Sequence, residues 1–332
     1  MTDQSTFKTR PAGRRWFGGA ARCTLPLLMA LVTLPAFAHN NNAYVANYND
    51  NTVSVINTVN NKVTATIPVG TEPAGVAVSP DGTSVYVANF GNNTVSVISA
   101  ASNTVIATVP VGTTPEAVAV SPNGAYLYVA NAGSNNVSVI ATATDTVAAT
   151  VTVGELPYSL AVSPNGANVY VGNVGSENVS VIATASNTVA ASVALGDDPY
   201  SVAVSPDGAH VYATDYNAGN VSVISTSSNS VTSTIAAGSG ANAIALQFFG
   251  GLMYVANYNA DTVSVITPFD GKVVETVTVG ADPAALAVSC GNVYVANSGS
   301  NTVSVINPFG GAVATLTVGN GPQAVATQPT NW

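Results

Sequence analysis

The sequence predicts an all-β fold: a seven-bladed β-propeller of four-stranded antiparallel blades, closed by the C-terminal strand joining the N-terminal blade. Three observations predict it. Val-Ser-Val-Ile recurs from Val53, Val95, Val137, Val179, Val221, Val263 and Val303, in steps of 42 residues five times and then 40. Tyr-Val-Ala-Asn opens at Tyr44, Tyr86, Tyr128, Tyr254 and Tyr294, with variants at Tyr170 and Tyr212. The chain also enters the repeat on its second strand and leaves on its first. A repeat of about 42 residues made of strand-like pieces is one supersecondary unit that cannot bury its own faces and must stack on its neighbours.

One unit, Pro73 to Gly112, justifies the elements in order. Ala74 to Ser79 alternates small and β-branched residues, which fits a strand covered on both faces. Ser79-Pro80-Asp81-Gly82 is a tight turn, with Pro fixing φ, Asp bonding locally and Gly taking the left-handed position. Val85 to Asn89 is the second strand, and Phe90 to Asn93 a polar hairpin loop. Thr94 to Ile98 is the third strand, and Thr104 to Val109 the fourth. Gly112 then frees the crossover towards Pro115. Shorter β-helix repeats and leucine-rich or helical repeats fit this spacing worse.

The ends supply the closure. The first strand-like stretch, Ala43 to Asn47, is a second strand, so one blade lacks its first. Pro322 to Pro329 repeats the spacing of Pro73 to Pro80, with Ala324-Val325-Ala326 in place of Gly75-Val76-Ala77. Pairing the last strand with the first blade leaves no central edge unpaired.

These motifs resemble the YVTN-type β-propeller family, whose units carry a Tyr-Val-x-Asn strand, an Asn-Thr-Val-Ser-Val-Ile strand and a Val-Gly crossover ending at Pro. Here they are Tyr86 to Asn89, Asn93 to Ile98 and Val111-Gly112 to Pro115, and the match runs over residues 43 to 329. The resemblance implies the fold. For function it implies little, because such relatives include cell-surface and surface-layer proteins, exported proteins and domains attached to redox enzymes.

Residues 1–38 read as an export signal that is removed, leaving 39–332 as the propeller. Lys8, Arg10, Arg14, Arg15 and Arg22 precede an apolar run from Leu25 to Ala36, and Ala36-Phe37-Ala38 is a small-x-small cleavage site. Arg14-Arg15-Trp16-Phe17 resembles a twin-arginine signal, although Gly13 and Gly18 depart from that pattern. The run is too short and proline-broken to span a bilayer, so no membrane span is expected. The expected location is the periplasm, the cell surface or the medium. Of seven basic and sixteen acidic residues, the segment takes five bases and Asp3, which leaves Lys62 and Lys272 and a net charge of −13. Such a surface has no phosphate-neutralising stripe, so nucleic acid is not expected as a partner. Cys290 is then the single cysteine, which rules out an intramolecular disulfide.

No catalytic or metal-ligand signature stands out. His39, His210 and Cys290 do not form a copper or haem set, so no metal and no cofactor is expected. Internal comparison of the repeats separates blade positions from free ones. Identical positions serve the core. Positions that vary between units cluster on the face where the crossovers meet the second-to-third-strand loops. The residue after Pro varies as Ala74, Glu116, Tyr158, Tyr200, Ala284 and Gln323, and the loop residue as Tyr48, Phe90, Ala132, Val174, Tyr216, Tyr258 and Ser298. The candidate ligand-binding residues at this channel mouth are Glu116, Tyr158, Asp197, Asp198, Tyr200, Asp215 and Tyr216, because aromatic rings beside carboxylates suit a carbohydrate, a peptide or a cation. Loop packing with a solvated acidic rim is the competing reading.

Two further features stand apart from this cluster. Asn47, Asn89, Asn131, Asn173, Asn257 and Asn297 form a ring expected to satisfy backbone groups at the strand ends. Phe248, Phe249, Phe269 and Phe309 sit at turn positions of the opposite face, where they form an apolar patch or cap the sheet ends. The missing catalytic constellation favours a non-catalytic exported scaffold binding a protein, peptide or glycan. The alternative is a lactonase- or lyase-like enzyme in which Glu116, Asp198 and Asp215 hold a divalent cation or supply a general base. A redox accessory domain ranks third.

Overall fold

The computed structural model describes residues 41–247, 251–289, 291–308 and 311–329. Residues 1–38, expected to be an export signal, and His39, Phe248, Phe249, Cys290 and Phe309 lie outside the described residues. Seven four-stranded antiparallel sheets form the blades. Blade 2 shows the order, from the inside outward: Pro73–Val78, Ser84–Asn89, Thr94–Ser99 and Thr104–Pro110. Inner strands neighbour one another in sequence around the molecule, and that of blade 7, Pro283–Ser289, meets Pro322–Thr327, which meets Pro73–Val78. The ring is closed.

Closure uses the two ends as the repeat spacing requires. Pro322–Thr327 pairs antiparallel with Asn42–Asn47, with Val45 opposite Val325. The tie extends past the sheet. Tyr48 N donates to Gly321 O at 2.9 Å, and the Asp50 carboxylate accepts from the backbone and side chain of Asn320 at 2.7 and 2.8 Å. Gln328, buried, accepts from Asn42 N at 3.1 Å and donates to Gly82 O at 2.8 Å.

Each Val-Ser-Val-Ile strand divides its residues between two interfaces, as period-2 geometry demands. Val95 and Val97 of blade 2 pack with Val118, Leu127, Val129 and Ile140 of blade 3. Ile98 points the other way, onto Tyr44, Val53 and Val55 of blade 1. The same arrangement repeats around the ring, so the core is a set of apolar interfaces between blades. Each fully buried Val or Ile contributes roughly 1.5–3 kcal/mol by removal from water. The Ser-Pro-Asp-Gly turn behaves as read: Gly82 has φ 70°, and Asp81 Oδ1 accepts from Ser79 Oγ at 2.5 Å and Thr83 N at 3.0 Å.

The asparagine ring meets backbone groups in part: Gly70 N donates to Asn89 Oδ1 at 3.1 Å, and Asn173 Nδ2 donates to Val171 O and Asn178 O at 3.3 and 3.4 Å. These side chains donate mainly to hydroxyls. Asn47 Nδ2 donates to Thr52 Oγ1 and Ser54 Oγ at 3.0 and 2.9 Å, and Asn89 does the same with Thr94 and Ser96. A serine buried in the middle of each third strand requires a polar partner, and in six blades the amide of the second strand supplies it. The amide also packs under the crossover glycine; a Cβ on Gly70 would stand 2.5 Å from Asn89 Cγ. On the opposite face, Phe269 is fully exposed, at 101% of its reference area, and does not cap its sheet. No helix among the described residues is long and apolar enough to cross a membrane.

Candidate active site

The inner strands surround a cavity of about 490 Å³ that opens on the crossover face. Its depth is lined by small and branched residues of every blade, such as Val118, Leu160, Val202 and Ile244. Its mouth carries the residues that differ between blades: Ala74, Glu116, Tyr158, Tyr200, Asn242, Ala284 and Gln323, with Tyr48 and Phe90 above them. Each of the former group follows the residue that starts its inner strand, so register alone places one such side chain per blade around the axis.

Among the described residues Glu116 is the one carboxylate in this lining. Its burial among apolar and aromatic groups pushes its pKa up to about 7, because the charged form loses water that nothing charged replaces. Gly75 of the neighbouring blade allows this tight setting: it is buried, and a Cβ there would lie 2.5 Å from the Glu116 carbonyl oxygen. Tyr158 lines the same cavity. Burial raises its pKa first, and the charges of Glu116, Tyr200, Tyr258 and Tyr48 raise it further.

An aromatic row runs from there across three blades. Tyr158 and Tyr200 have ring centroids 4.9 Å apart, Tyr200 and Tyr216 4.7 Å, and Tyr216 and Tyr258 6.4 Å. On the other side, Tyr48 and Phe90 lie 6.0 Å apart. Such tilted pairs are favourable ring geometries.

The seven sequence-predicted residues thus fall into three groups. Glu116, Tyr158 and Tyr200 line the cavity. Tyr216 stands behind Tyr200 and donates its hydroxyl to Asn259 Oδ1 at 3.1 Å. Asp197, Asp198 and Asp215 lie outside the lining. Asp197 accepts from Asp198 N, Asn217 Nδ2 and Ala218 N at 2.7, 3.0 and 2.7 Å, and Asp198 from Asn217 Nδ2 at 3.0 Å. These bonds fold the crossover onto the adjacent loop. Asp215 is buried, with its pKa raised to about 6 by burial and by the charge of Asp197, although Ser222 opposes the shift.

The carboxylates therefore do not gather to hold a divalent cation. Among the described residues no three His, Cys, Asp or Glu side chains stand close enough for one, and that part of the enzyme reading fails on geometry. Asn242 is the lining residue that the repeat comparison passed over, because blade 6 starts its inner strand with Ala241 instead of Pro. Aligning Ala241-Asn242-Ala243 with Pro199-Tyr200-Ser201 recovers it. Its Nδ2 donates to Ala284 O at 2.7 Å, linking two inner strands.

Solved structures share this architecture. A periplasmic gluconolactonase of Pseudomonas aeruginosa superposes with a TM-score of 0.71 at 21% identity, covering 87% of this chain and 99% of the other. A putative 6-phosphogluconolactonase of Bacteroides uniformis gives 0.73 at 18% identity, covering 87% and 99%. Hydrazine synthase of Kuenenia stuttgartiensis gives 0.70 at 24%, covering 77% and 90%. At these identities the likeness is one of fold. None of the curated proteins is similar enough to match.

One sequence finding overturns the expectation of a non-catalytic binding or cell-surface scaffold. That expectation rested on the lack of a clustered catalytic constellation, yet opening a lactone asks only for one suitably placed base and hydrogen-bond donors. Residues 36–150 match the family model of the lactonase, seven-bladed β-propeller proteins.

Proposed function

We propose that the protein is an exported lactonase-like hydrolase whose reaction takes place at the channel mouth. The observation that carries this reading is Glu116: a single half-buried carboxylate, its pKa raised to about 7, in a cavity of about 490 Å³ that Tyr158 and Tyr200 also line. The lactonase match supports it, and so does the fold shared with proteins named gluconolactonase. Export rests on the amino-terminal 38 residues, and the Tyr-Val-x-Asn repeat describes the scaffold that carries the site.

In this mechanism Glu116 acts as general base. It takes a proton from water as the water oxygen bonds to the lactone carbonyl carbon. The carbonyl π electrons move onto oxygen, where the Tyr158 and Tyr200 hydroxyls donate hydrogen bonds to the developing charge. Collapse of the tetrahedral species breaks the ring C–O bond, and the leaving alkoxide takes the proton back from Glu116. The product is a hydroxy acid, which loses a proton to solvent. A pKa near 7 suits both halves of this exchange. Asp197, Asp198 and Tyr216 hold the mouth in shape from behind.

Proton release from a sugar lactone, followed against the uncatalysed rate, tests the proposal. Glu116→Gln keeps the volume and removes the base, and should lower kcat by about 10²–10⁴ with an unchanged far-ultraviolet circular dichroism spectrum. Full activity in that variant would refute the assignment.

A further inference from the structure

Most acidic side chains crowd one face of the molecule. The crossovers carry Glu72, Glu155, Asp197, Asp198 and Asp282 on the side where the cavity opens, with Glu116 on an inner strand beside them, while Asp81, Asp145, Asp207 and Asp270 lie at the turns of the opposite face. Outside the export segment the basic side chains are Lys62 and Lys272, with His210 and His39 the histidines. Lys62 and Lys272 each begin an outermost strand, and His210 begins a second strand. In this topology all three positions lie at the opposite face, and both lysines are exposed there. Among the described residues no cationic side chain lines the cavity.

We infer that the site accepts uncharged lactones, refuses phosphorylated ones, and repels the carboxylate that the reaction generates. This deepens the lactonase reading and rests on it. A phosphate dianion needs Lys, Arg or an array of backbone N–H donors to replace its hydration. Here it would meet Glu116 and a negative rim across a low-dielectric opening, where like charges cost more than in water. A neutral polyol ring meets tyrosine faces and hydroxyl groups instead. The hydrolysis product acquires one negative charge, so the same field that admits the substrate weakens the hold on the product.

The test compares glucono-1,5-lactone with its 6-phosphate. The expected result is a kcat/KM at least about tenfold higher for the neutral lactone, with the gap narrowing as salt screens the face. Ala74→Lys and Gln323→Lys, at mouth positions outside the proposed machinery, should each narrow it further. Equal or faster turnover of the phosphate ester would overturn the charge selection. Calorimetry with the non-hydrolysable gluconolactam and its 6-phosphate separates the two claims. Selective binding of the neutral lactam without turnover of either lactone would sink the lactonase reading and keep the selection. Equal binding of both lactams, or of neither, would sink the selection itself.

Discussion

Asp215 accepts a hydrogen bond from Ser222 Oγ at 2.8 Å, reversing the bond that an asparagine amide donates to the equivalent serine in the other six blades. The exchange of an amide for a carboxyl puts a titrating group into a position built for a neutral one. Its other oxygen is buried without a partner, and its pKa rises from 3.8 to about 6.

The sign of the pH effect follows. The folded protein binds the Asp215 proton more tightly than the unfolded chain, so this residue costs nothing below pH 3.8 and its full penalty above about pH 6. Asp215→Asn restores the blade pattern. It should stabilise the protein by roughly 1–2 kcal/mol at pH 7, after allowance for solvent screening, and leave it nearly unchanged at pH 4. Urea midpoints at the two pH values measure the difference; an equal gain at both would show that the carboxyl charge is not the cause.

Glu116 makes a kinetic prediction of its own. A general base works in its unprotonated form, so activity should rise with pH through about 7 and then level off. The same buried charge burdens the fold once pH exceeds the ordinary carboxylate range. Glu116→Gln should therefore unfold at a higher temperature than the parent at pH 8 and at nearly the same temperature at pH 4. A pH–rate profile that falls through neutrality would contradict the assigned role.

Ring closure is testable at the strand pair that makes it. Val325 is 8% exposed and packs with Ala43, Val45, Tyr294 and Val303. Val325→Asp buries an unpaired carboxylate there and should cost at least about 3 kcal/mol. The conservative Val325→Ile should cost less than about 1.5 kcal/mol. Thermal melts of the two variants give the comparison.

Gly75 tests how closely two blades must approach to set the base. The equivalent positions carry a Cβ, as in Ala117 and Ser159, but at Gly75 it would press on the Glu116 backbone oxygen at 2.5 Å. Gly75→Ala should separate blades 2 and 3 slightly, at a cost of about 1–3 kcal/mol, and lower kcat more than it raises KM. An unaltered kcat would mean that Glu116 does not depend on this spacing.

Part of the candidate site was legible from the repeats alone. Glu116, Tyr158 and Tyr200 occupy a position that changes from blade to blade while its neighbours repeat, and a tandem array exposes such variation without any other sequence. Asn242 escaped because the proline that marks its register is Ala241. Asp197, Asp198 and Asp215 share the face of the site, but local hydrogen bonds to Asn217, Ala218 and Ser222 hold their carboxylates outside the cavity lining. No periodicity reports where a side chain turns at the end of a strand.

The blade, the number of blades and the seam between tail and head follow from nearest-neighbour rules along the chain: alternating burial, turn chemistry and one unpaired strand at each end. Packing in three dimensions sets the rest: among the described residues Glu116 is the one carboxylate beside the lining tyrosines, the acids do not converge, and both lysines face away from the opening. These are relations between blades whose residues lie 42 or more positions apart, and they exist only once the sheets have closed around a common axis.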